Sequence, residues 1–151
     1  MLKRIKNNIY NLRREDDCIP YRDCSAHDAA AEDLAIAKSN LVTAKNNLAD
    51  AEALKAELST EKANTSALLG NYKSVYDTIM NTGSSIANPN NMGDLSGIIN
   101  CLSSYGATVE ESYNQAVSEV SRCEAKVAEC ETAVQQATIK LANTPCVWKC
   151  A

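Results

Sequence analysis

The residues best equipped for chemistry are seven cysteines and one histidine in a chain of 151 residues. Cys18 and Cys24 lie near one end of the sequence, Cys146 and Cys150 near the other, and His27 follows Cys24 by three residues. Thiols in such numbers can stay free, pair as disulfides or, with an imidazole, hold zinc. Cys18, Cys24, His27, Cys146 and Cys150 are therefore the candidate zinc ligands, and the four cysteines are equally the candidate disulfide partners. Five residues separate the first pair and three the second, a spacing that matches no familiar zinc framework. Cys101, Cys123 and Cys130 read as small packing residues.

Catalysis finds little support in these residues. His27 has no evident Ser or Cys nucleophile with an orienting carboxylate, and no glycine-rich phosphate loop occurs. The Asp and Glu residues are scattered as they are on solvated helix faces. The expectation is a protein that is not an enzyme and holds no cofactor, zinc being the one alternative. Trp148, in Cys-Val-Trp-Lys-Cys, reads as a packing anchor for the tail.

Charge and hydropathy narrow the partners. A net charge of −4 and a pI near 5.0 argue against a nucleic-acid-binding surface spread over the molecule. No apolar run is long enough to span a bilayer, and no apolar core follows the first basic residues, so neither a transmembrane segment nor a cleaved signal is expected. Cytoplasmic residence is the default and export without a cleaved signal the alternative, against which seven cysteines point to an oxidising compartment or a metal. Residues 1–14 place Leu2, Ile5, Ile9 and Leu12 on one helical face amid Lys3, Arg4, Lys6, Arg13 and Arg14. A basic amphipathic segment of this kind either folds back on its own bundle or makes peripheral contact with an anionic membrane or partner.

The elements that must position these groups are helical. Ala, Glu, Lys and Leu are abundant, there is no Phe, and aromatics are only 5% of the chain, which suits thin seams between long helices better than a thick core. Pro20, Pro89 and Pro145 leave two long proline-free stretches. The first opens at Ser25 with Asp28 completing a cap and runs over 25–80. Its apolar positions are Leu34, Ala37, Leu41, Ala44, Leu48 and Ala51, then Leu54, Leu58, Glu61, Thr65, Leu68, Tyr72, Val75 and Ile79. The repeated step of three at Ala51 to Leu54 predicts a stammer. The second stretch, 107–143, is capped by Thr108 with Glu111. It keeps an unbroken heptad seam through Val109, Tyr113, Ala116, Val120, Cys123, Val127, Cys130, Val134, Ala137 and Leu141. Between them, 81–93 reads as a loop and 94–105 as a short helix that Gly106 ends. An N-terminal amphipathic and cysteine segment, 1–24, and a cysteine-containing tail, 144–151, complete a single domain.

The fold class predicted is all-α: a long antiparallel helical hairpin, coiled-coil-like, with a short helix at its tip and a further short helix near the N-terminus. With residue 28 opposite residue 143, Leu34, Leu41, Leu48 and Leu58 face Ala116, Cys123, Cys130 and Ala137, so large side chains meet small ones. The short helix then covers the far end, where Tyr72, Tyr76, Ile98, Ile99, Leu102 and Tyr105 form the thickest apolar cluster and the candidate partner-binding surface.

Two long antiparallel helices with polar caps and few aromatics resemble the small helical hairpins of the WXG type, and the WXG-like accessory proteins that accompany LXG toxins in bacterial type VII secretion. The likeness covers residues 28–143. The connection carries no Trp-x-Gly turn, and none of the six tyrosines is followed by an acid four residues on. The resemblance implies an adaptor or targeting chaperone that pairs its helices with those of a helical partner such as a secreted toxin. The alternatives are a self-assembling spacer stapled by cysteines, and a metal-binding or redox protein.

Overall fold

A computed structural model describes residues 18–83 and 89–151. The basic segment 1–14, and residues 84–88 of the expected connection, lie outside the described residues. The chain forms strand β1 (Pro20–Asp23), helix α1 (Ser25–Thr82), helix α2 (Pro89–Ala142) and strand β2 (Val147–Cys150). The architecture is the all-α helical hairpin, to which the two short strands add an antiparallel ribbon. Contacts divide it into two compact units, one built from residues 18–41 with Cys130–Ala151 and one from Val42–Glu129. In each unit a stretch of α1 packs antiparallel against a stretch of α2.

The expected break in the first seam is absent. Beside a partly covered Glu61 on the flank, covered positions on α1 from Ala51 onwards run Ala51, Lys55, Leu58, Lys62, Thr65, Leu69, Tyr72, Tyr76 and Ile79, alternating steps of four and three. Leu54, Leu68 and Val75, assigned to the seam on hydrophobicity, stand about half exposed. The reason is geometric: a helix of constant pitch keeps one row against its partner, and a lysine can occupy that row by laying its stem along it with the ammonium outside. Lys62 does so, its amine 2.7 Å from Glu110 and 4.9 Å from the centre of the Tyr113 ring.

The second arm also differs from expectation. Helix α2 begins at Pro89, a residue whose fixed φ suits a first turn, and runs unbroken through Asp94, Gly106 and Thr108. Thr108 donates its hydroxyl to the Ser104 carbonyl at 3.2 Å, a mid-helix bond, so neither a cap at Thr108 nor a separate helix 94–105 exists. Gly106 lies on the seam facing Thr65; a Cβ added to it would meet the Thr65 methyl at 3.5 Å. Glycine serves there as a small seam residue. The glycine that does stop a helix is Gly83, whose φ of 56° follows the end of α1 at Thr82.

The core is thin. Its fully covered residues are Ala30, Ala44, Ala51 and Thr65 on α1, with Val109, Ala116, Val120, Cys123 and Cys130 on α2. Two facing helices can each hide only one stripe, so the larger side chains stay partly open while the small ones between them close over. Ala51, Val120 and Cys123 cluster with Leu48 packed against them, the large-against-small arrangement expected for Leu48 opposite Cys123. The cluster of tyrosines and isoleucines expected to be thickest is not. Tyr72, Tyr76, Ile99 and Leu102 are half-buried along the seam, while Ile98 and Tyr105 are exposed.

These placements separate two leucines of one helix. Leu48→Ala removes contacts to the buried cluster and should cost about 2 kcal/mol, the low end for a truncated core leucine because this one is only partly covered. Leu54→Ala should stay within about 0.5 kcal/mol. Thermal melting of both variants checks the unbroken seam, and an equal loss at the two positions would contradict it.

Candidate functional site

In the unit that carries the chain's outer segments, sequence and local chemistry build a staple. Tyr21, Val147 and Trp148 favour extended backbone, and β1 and β2 pair with Pro20 opposite Cys150, Tyr21 opposite Lys149, Arg22 opposite Trp148 and Asp23 opposite Val147. A ribbon of two strands is at best marginally stable by itself. Two disulfides hold it: Cys18–Cys150, with Cα atoms 5.1 Å apart, and Cys24–Cys146, with Cα atoms 4.3 Å apart. The reading of free terminal thiols gives way to this pairing.

The zinc arrangement gives way too, because all four cysteines are bonded to one another. His27 is engaged elsewhere. Its Nδ1 donates to the Thr144 carbonyl oxygen at 2.9 Å, joining the first turn of α1 to a residue just beyond α2. Among the described residues no group of three or more His, Cys, Asp or Glu side chains is placed to hold a metal ion.

Asp23 links strand, helix and staple. Its Oδ1 accepts from the Ser25 amide at 3.0 Å and the Ser25 hydroxyl at 2.6 Å, and its other oxygen pairs with the Lys149 amine across the ribbon. The helix starts one residue earlier than a Ser25 cap implies, since the Cys24 carbonyl accepts the first helical bond from Asp28 N at 2.8 Å. The hydrogen bond from Lys149, then those from Ser25, hold the Asp23 carboxyl well below the usual carboxylate range. Further along this unit, Lys140 and Asp33 pair at 2.6 Å, an exposed contact that contributes little.

The second unit presents a different surface. Its seam has two flanks, and one is apolar. Leu54, Glu61, Leu68 and Val75 recur every seven residues on α1; Ile98, Tyr105, Ser112 and Glu119 do so on α2. The Tyr105 hydroxyl donates to Glu61 at 2.8 Å, which shows that the two rows meet along the same flank. The Glu61 carboxylate in turn raises the Tyr105 pKa. Leu54, Leu68, Val75, Ile98 and Tyr105 are each between 42% and 50% exposed, more than isolated surface hydrophobes require. Leu54 and Leu58 with Ser112, Gln115, Ala116 and Glu119 line a shallow groove at one end of this strip. Glu61 lies in the strip itself and helical spacing puts Asp50 and Glu57 on the next row of α1, while Glu119 is paired with Arg122 at 2.8 Å and adds no net charge.

Of the expected partner-binding residues, Ile98 and Tyr105 belong to this strip. Tyr72, Tyr76, Ile99 and Leu102 belong to the seam. Leu54, Leu68 and Val75 were missed as surface residues because their hydrophobicity assigned them inwards; counting strict sevens from Ala44 and Ala51 would have found them.

Comparison with protein-family models, curated proteins and solved structures returns no match. No helix among the described residues is long and apolar enough to cross a membrane.

Two measurements probe the staple. Intact-mass alkylation of the native chain should add one rapid label, at exposed Cys101. Two more, at Cys123 and Cys130, should follow only on unfolding, and the last four only on reduction. Burial pushes the Cys123 thiol up and slows it further. For Asp23 the folded pKa lies below its ordinary value of 3.8, so its contribution is present above that pH and is lost as the pH falls through the still lower folded value. Asp23→Asn should therefore lower the melting temperature at neutral pH, and the gap from the parent should close progressively below about 3.8.

Proposed function

We propose that this chain is a non-catalytic helical interaction module whose apolar flank binds an amphipathic helix carrying basic residues beside its apolar seam. The observation that carries the reading is the strip of Leu54, Leu68, Val75, Ile98 and Tyr105 with its acidic rim. A helix laid along it would bury alternate turns of large side chains, the mode by which amphipathic helices dock into grooves. Lys or Arg at its edges would meet Asp50 and Glu57, steering encounter and fixing orientation more than adding raw affinity. This is the role of an adaptor or targeting chaperone for a helical cargo such as a secreted toxin, as the resemblance to WXG-type hairpins implies. Two disulfides within one unit support residence in an oxidising compartment, where such bonds persist.

Site-specific photocrosslinking in the native host tests this reading. A benzophenone side chain in place of Leu68 should capture one protein with a basic amphipathic helix, whereas the same probe in place of Ser66 should not. The companion disruption is Val75→Asp, which should abolish the adduct while leaving the melting temperature within a few degrees of the parent. Adducts containing only further copies of this chain would favour a self-assembling spacer instead. Equal capture from the two probe positions would remove the basis of the proposal.

A further inference from the structure

The apolar flank of the second unit is interrupted by a carboxylate. In the antiparallel register marked by the Tyr105–Glu61 hydrogen bond of 2.8 Å, seven residues further on α1 and seven back on α2 bring Leu68 beside Ile98. Seven residues in the other direction bring Leu54 beside Ser112, and these two line the same groove. Large apolar side chains therefore stand on both sides of Glu61, each about 10 Å away along the helix axis. Glu61 itself is partly covered. Its Oε1 accepts from the Tyr105 hydroxyl, whereas a carboxylate can accept about four hydrogen bonds, so the rest of its capacity faces solvent. Neither row of sevens on the flank contains a lysine or arginine.

We infer that Glu61 is the specificity-determining residue of this flank: it selects a partner helix that places a lysine or arginine between two apolar residues of its docking seam. The inference rests on the helix-docking reading above and adds where the partner's charge must lie. A helix covering the strip takes water away from Glu61. Under an apolar side chain the carboxylate keeps the bond from Tyr105 and loses the rest of its hydration, a cost that outweighs the added apolar burial. An ammonium or guanidinium at that point restores both the hydrogen bonds and the charge balance, while its methylene stem lies along the apolar seam. One heptad to either side, the partner's apolar residues still reach Leu54 and the Leu68–Ile98 pair. The same carboxylate acts against a second copy of this chain. With no cation in either row, two such strips laid together would bury Glu61 against an apolar residue or against its own counterpart. A single polar position in an apolar seam fixes register and partner choice in coiled coils in this way, at a cost in stability.

Two synthetic helical peptides of identical composition test the inference on the full chain by fluorescence polarisation. Each is about four heptads long, enough to cover the strip, and has a leucine seam. One carries lysine at a central seam position and norleucine on its outer face; the other exchanges the two residues. The parent should bind the seam-lysine peptide about tenfold more tightly, the size expected of a hydrogen bond between charged groups. Glu61→Leu should reverse the preference and Glu61→Gln should remove most of it, with the helical circular dichroism melt of both variants within a few degrees of the parent. Equal binding of the two peptides by the parent, or tighter binding of the seam-norleucine peptide, with both lost in Val75→Asp, would overturn the inference and leave helix docking standing. A preference for lysine that survives in Glu61→Leu would also overturn it. Binding of neither peptide would overturn the docking reading and the inference with it.

Discussion

Two helices packed side by side can each turn only one stripe away from water, and much else in this protein follows from that constraint. A stripe a single residue wide hides small side chains completely and large ones in part. The fully covered residues are accordingly alanine, valine, cysteine and threonine, while the leucines beside them stay partly open. Hydrophobic burial is proportional to the area removed from water, so a layer of this kind contributes modestly per residue. It must be supplemented, and it must keep its register, because one misplaced step exposes the whole stripe.

The staple supplies the supplement. The disulfides link residues separated by 132 and 122 positions, and closing a loop of that length restricts the unfolded chain by about 5 kcal/mol in the chain-entropy account. Once one bond is made, the other closes a ring of about a dozen residues and adds about 3 kcal/mol on the same account. The two are therefore not equivalent: whichever forms first does the long-range work, and the second aligns the ribbon. Asp23 ties that ribbon to the start of α1 and His27 ties the same start to the end of α2, so strand pairing, helix start and helix end are coupled within one unit.

The same narrowness creates surface. A row adjacent to the seam cannot be covered by a two-helix layer, so apolar residues placed there stay available. Leu54, Leu68 and Val75 on α1 with Ile98 and Tyr105 on α2 are such residues, and only the flank that bears the Tyr105–Glu61 hydrogen bond carries them in series. With Glu119 and Arg122 cancelling each other, Asp50, Glu57 and Glu61 give that flank a preference in charge as well as in shape. Interaction and fold are thus two uses of one periodicity, shifted by a single helical row.

Sequence by itself determined the class of fold, the antiparallel order and the register. Proline placement and the alternation of threes and fours are local properties of a helix, and setting the ends of the two stretches together puts residue 28 opposite residue 143, the register in which His27 bonds Thr144. It also singled out the four cysteines that pair. Tertiary structure showed which row of α1 forms the seam where a count of apolar residues missed it, since a lysine stem at Lys55 or Lys62 is invisible to such a count yet fits beside a partner helix. It likewise carried α2 through Gly106, where the contact with Thr65 matters more than glycine's weak helix propensity. The β1–β2 ribbon belongs to the same category: four-residue strands carry almost no periodic signal, and only the closure of Cys18 on Cys150 and Cys24 on Cys146 brings their backbones within hydrogen-bonding distance.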